Sequence, residues 1–94
     1  MHVATCVITL QLFGVESLKD KRRIIKSILS RLARQFNVTI SEVDCHDTWQ
    51  TSVIGIATVG NDPRYLHARL EKAVAWIEVN RPDIVVEQYR IEFR

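Results

Sequence analysis

Thiol, imidazole and carboxylate stand side by side at Asp44, Cys45, His46 and Asp47, the side-chain types from which metal sites and activated nucleophiles are built. Their spacing argues against both uses. Consecutive side chains of an extended chain alternate faces, so Cys45 and His46 are expected to point apart. Apart from the distant His2, no second ligand cluster accompanies them. Neither a Gly-rich phosphate loop nor a set of nucleophile, base and orienting group can be assembled from the remaining residues. No catalytic residue, metal or cofactor is therefore expected, and the chain reads as a binding module rather than an enzyme.

The best functional signal is cationic. Seven of the thirteen Lys and Arg residues fall between Lys19 and Arg34, against the single acid Asp20, although the whole chain carries a net charge of only +2. At about 100° per residue, Lys19, Arg23, Lys26 and Arg34 share one helix flank with Ser30, and Arg22 lies at its seam. Cations one turn apart on a helix match successive phosphates and gain affinity by releasing counterions. A charge run on an amphipathic helix more often only solvates it; the seven-to-one excess singles this one out. Lys19, Arg22, Arg23, Lys26 and Arg34 are thus candidate nucleic-acid contacts, and RNA or the ribosome a candidate partner.

A second candidate surface is the short polar segment holding Asp47, Trp49 and Gln50. Tryptophan is enriched at binding hot spots, so Trp49 can anchor a partner. The commoner fate of so large a ring is to close one end of the core, and Asp47 can simply bond turn amides. Packing is likewise the expected role of Tyr65 and Trp76, and solvation that of His67.

The elements that position these residues follow from periodicity. Ala4, Cys6, Ile8, Leu10 and Leu12 alternate with Thr5, Val7, Thr9 and Gln11, a strand with one apolar face and one mixed face that can lie against a second copy of the chain. Leu18, Ile25, Leu29, Leu32 and Phe36, with Ile28, form the apolar stripe of a helix over Ser17 to Phe36. Ser17 is placed to cap it, with Asp20 near its positive end, and Asn37 to terminate it in a left-handed conformation. Val38 to Cys45 reads as a strand whose alternation slips between Ile40 and Val43, the mark of a bulge. The small and β-branched residues from Thr51 to Val59 suit a strand buried on both faces.

Asp62 as cap and Pro63 at the first position open a second helix with Leu66, Leu70, Ala73 and Ile77 inside, ending near Asn80 before Pro82. Ile84 to Phe93 is the last strand. The order β-α-β-β-α-β with right-handed crossovers predicts a single domain over residues 1–94: an α+β ferredoxin-like split sandwich, with a four-stranded antiparallel sheet carrying both helices on one face.

Composition sets the remaining bounds. An apolar fraction of 47% and a charged fraction of 26% are those of an ordinary globular domain with one core. Two cysteines so far apart suggest free thiols, not a disulfide framework. No apolar run is long enough for a bilayer, and MHVATCVITLQLF lacks the charged lead of a targeting segment, so a cytoplasmic protein without a membrane partner is expected.

The segments SLKDKRR (Ser17 to Arg23), RQFNVTISEVD (Arg34 to Asp44), HDTWQ (His46 to Gln50) and GND (Gly60 to Asp62) together resemble the YlxP-like family of small bacterial proteins, whose activity is not established. The resemblance implies a ferredoxin-like fold. Relatives encoded among translation and ribosome-maturation genes imply, by association, a link to RNA or the ribosome. Where relatives more often carry His then Gln, this chain has Cys45 and His46, which argues against a fixed chemical site in that loop.

Overall fold

In the computed structural model all residues, 1–94, are described. Strand β1 (His2–Leu12) buries Ala4, Cys6, Ile8, Leu10 and Leu12 on one face and leaves Val7 exposed on the other. Helix α1 (Leu18–Phe36) begins where the Asp20 amide donates to Ser17 Oγ at 3.1 Å and ends at Asn37, whose φ of 52° is left-handed. Its inward stripe holds Ile25, Ile28 and Leu32, each contributing about 1.5–3 kcal/mol by burial. Leu18, Leu29 and Phe36 are only half-buried at its edges.

Strand β2 (Thr39–Asp44) pairs with β3 (Thr51–Gly60), and the register shifts between Glu42 and Asp44, so the bulge falls on Val43. Burial in β3 is confined to one face. Ser52, Ile54, Ile56 and Thr58 are enclosed beneath the helices, whereas Thr51, Val53, Gly55 and Ala57 are only half-covered. The expected two-faced burial therefore fails, because the second face of an open sheet has no layer to cover it.

Helix α2 (Pro63–Asn80) starts with Asp62 accepting from the Arg64 amide at 2.9 Å, has Pro63 in its first turn, and buries Leu66, Leu70, Ala73, Val74 and Ile77. Strand β4 (Ile84–Phe93) completes a sheet of order β2-β3-β1-β4 in which every neighbouring pair is antiparallel. Residues from the inner face of the sheet and from both helices form one core of 16 buried side chains. The architecture is the α+β ferredoxin-like sandwich expected from the element order.

Candidate nucleic-acid interface

Helix α1 carries cations on two faces, and the two do different work. Lys21 falls on the apolar stripe, three residues after Leu18 and four before Ile25, and is fully buried. Its Nζ lies 2.9 Å from Glu42 Oε2, donates to the Cys45 carbonyl and reaches the His46 carbonyl at 3.5 Å. Glu42 Oε2 also accepts from Ser52 Oγ at 2.6 Å. An unpaired buried charge would be costly; here the carboxylate and two carbonyls neutralise and solvate it. The group thus ties α1, β2 and β3 to the loop that follows β2.

The loop is held from several sides. Cys45 adopts φ 61°, outside the strand, so the alternation expected of Cys45 and His46 does not apply there. The Asp44 carboxylate accepts from the Cys45 amide at 2.7 Å, and the His46 ring Nε2 lies 3.1 Å from the Glu42 carbonyl. Gln50 accepts from the Leu12 amide at 2.7 Å. No three His, Cys, Asp or Glu side chains gather as a metal site would need.

Outward on the same helix, Lys19, Arg22, Arg23, Lys26 and Arg34 are all exposed, and Arg31 joins them at one edge. Arg23 pairs with Asp20 at 3.5 Å, Arg22 with Asp47 at 3.6 Å, and the Arg31 guanidinium sits 5.6 Å over the Trp76 ring. Lys19, Lys26 and Arg34 make no ion pair. Pairs this exposed are worth about 0–1 kcal/mol and exchange readily for another anion. The structure brings the five candidate cations together on one surface, but one of the seven basic residues in the stretch belongs to the interior.

Asp47, Trp49 and Gln50 are all exposed, and the contact of Asp47 with Arg22 sets their loop beside the N-terminal half of the cationic face. Trp49 is 42% exposed and does not close the core. Tyr65 is 73% exposed, so its expected packing role also fails; Trp76 is half-buried against the core. Sequence reasoning missed Lys21, Glu42 and Ser52. A lysine spaced as a stripe residue, with an acid on the inward phase of β2 after Ile40, was the available signal.

A ferredoxin-like sandwich with one strongly cationic helix face defines the class of protein. The family described as "Protein of unknown function (DUF503)" matches residues 3–91, and the chain belongs to it. It is 39% identical over 67 residues to the uncharacterized protein YlxP of Bacillus subtilis (strain 168), covering 71% of this chain and 73% of that one. Among solved structures, the de novo designed protein Foldit4 is similar at a TM-score of 0.54, spanning 100% of this chain and 97% of that chain. At 16% identity that likeness concerns the fold alone. No helix is long and apolar enough to cross a membrane.

Proposed function

We propose that the protein is a non-enzymatic RNA-binding module whose contact surface is the outward face of α1, with Lys19, Arg22, Arg23, Lys26 and Arg34 facing the phosphate backbone. The observation that carries this reading is charge segregation. The helix has seven cations and one acid while the chain as a whole is only +2, so the rest of the molecule is net acidic. A helix of 19 residues extends about 28 Å, long enough to follow several successive phosphates. The outward positions of the neighbouring strand β1, Thr5, Val7, Thr9 and Gln11, carry no aromatic ring, so the sheet offers no base-stacking platform. Backbone and shape recognition of a structured RNA, including ribosomal RNA, fits these features better than sequence readout. The exposed Asp47–Trp49–Gln50 loop flanks the surface and contributes secondary contacts.

The test is binding to a structured RNA across a salt series, with Lys19, Arg23 and Lys26 changed together to Glu as comparison. Wild-type affinity should fall steeply with salt, and the triple variant should lose at least about 100-fold at low salt through lost phosphate contacts. Because all three side chains are exposed, circular dichroism should remain that of the wild type. Equal affinities for the two proteins, or a flat salt dependence, would reject the reading.

A further inference from the structure

The outer face of the sheet is the opposite of α1 in chemistry. On its three contiguous strands β2, β3 and β1, the outward positions are Thr39, Ser41 and Val43; Thr51, Val53, Gly55, Ala57 and Val59; and Val3, Thr5, Val7, Thr9 and Gln11. Apart from Asp44, which the bulge sets opposite Val53 at the far end of β2, none is ionisable, in a chain whose charged fraction is 26%. The other charge on this face lies along β4, where Arg90 and Glu92 pair at 2.6 Å and Glu87 accepts from Gln11 at 2.7 Å, and at Arg94, 3.4 Å from Glu92. Loss of charge from the centre with charge kept at the rim is the composition of a protein–protein interface.

We infer that this face is the contact between two copies of the chain, packed sheet against sheet about a two-fold axis; the inference does not rest on RNA binding. Three observations favour a second copy as the occupant. First, a two-fold contact needs one patch to supply both knob and hole. Val7 projects at 40% exposure, and its cross-strand neighbour is Gly55. Gly55 and Ala57 floor a trough of about 310 Å³ walled by Thr5, Thr39, Ser41 and Val43, with Arg94 at its margin.

Second, the area is sufficient. Four strands 6 to 11 residues long and about 4.8 Å apart, the charged rim strand β4 included, cover roughly 600 Å² per copy, so a pair buries on the order of 1,200 Å², the lower bound of stable interfaces. Third, both edges of the sheet are ill suited to strand addition. β2 is only six residues long and carries the bulge at Val43; β4, the other edge, is broken by a register shift at Glu87 and carries charge along its length. A charged partner has little to hold on the apolar centre, whereas an identical face leaves its charged groups at the rim, where they can stay solvated. In such a pair both α1 helices remain on the outside.

The experiment is sedimentation of the full chain over micromolar concentrations, with Val7→Glu and, separately, Thr5→Lys, and with Val79→Glu as control on the solvent side of α2, where Val79 is 78% exposed. The wild type and the control should sediment at twice the protomer mass. Each sheet variant should raise the dimer dissociation constant at least about 100-fold by burying charge in an apolar contact. In the monomer the new carboxylate faces solvent beside Arg90 and the new ammonium beside Glu92, so both should fold, and thermal unfolding read by circular dichroism checks this. A wild-type chain that stays monomeric throughout overturns the inference and leaves the face to a different protein. A dimer unaffected by either sheet variant overturns it as well, by placing the contact elsewhere.

Discussion

The outward face of α1 and the outward face of the sheet enclose the same core from opposite sides, yet one is crowded with cations and the other carries a single ionisable side chain, Asp44, on three of its four strands. The difference teaches that a small domain can keep two partner chemistries apart by assigning each to one side of the sandwich. A polyanion is attracted to the first surface and gains little at the second. An uncharged surface fits the second and would pay desolvation at the first. Because the two lie on opposite layers, occupation of one leaves the other open.

The contrast depends on charge being outward on α1, and Lys21 is the place where it is not. Changing Lys21 to Met should give the largest effect on stability. Removing one partner of a buried pair leaves Glu42 uncompensated and two loop carbonyls without their donor, a loss of about 3–5 kcal/mol in denaturant unfolding. Lys26→Met, five residues along the same helix, should leave stability within about 0.5 kcal/mol while weakening RNA binding. If the two variants behaved alike, the division of α1 into an inward tether and an outward contact surface would be wrong.

A smaller effect separates the two faces of the sheet. Cys6 and Val7 are neighbours on β1, but Cys6 is enclosed while Val7 meets solvent. Burial, with a further contribution from the Glu71 carboxylate, pushes the Cys6 thiol up to about 11 from an ordinary 9.0. The folded chain therefore holds this proton where the unfolded chain has lost it. Its contribution is fully present below about pH 9 and is lost as pH rises toward 11, a decline of about 2–3 kcal/mol. Calorimetric unfolding across that range should show the decline, and Cys6→Ala should flatten most of it. Part should persist, because Tyr89, whose hydroxyl donates to Glu71 at 2.7 Å, is also held above its usual range.

Much of this arrangement is legible in the sequence because it follows from local rules. Ser17, Asn37, Asp62 and Pro63 mark helix ends through their own backbone chemistry, and the slip between Ile40 and Val43 announces the bulge. The five outward cations are legible for the same reason, since helical spacing fixes which side chains share a flank. Lys21 is not, because its burial depends on Glu42 and Ser52, which reach it only after two strands have paired. The relation of Val7 to Gly55 is equally hidden, since it is set by the register of β1 on β3. The exposure of Trp49 and Tyr65 escapes composition too: general burial tendencies of aromatic rings give no weight to a tethered loop or to the free side of a helix.

The most direct test of the account is a map of backbone amide chemical shifts as a structured RNA is added to the full chain. Perturbation concentrated on Lys19, Arg22, Arg23, Lys26 and Arg34, with the amides of Thr5, Val7, Gly55 and Ala57 unmoved, is the result expected. Shifts concentrated on the sheet residues, with α1 silent, would contradict it.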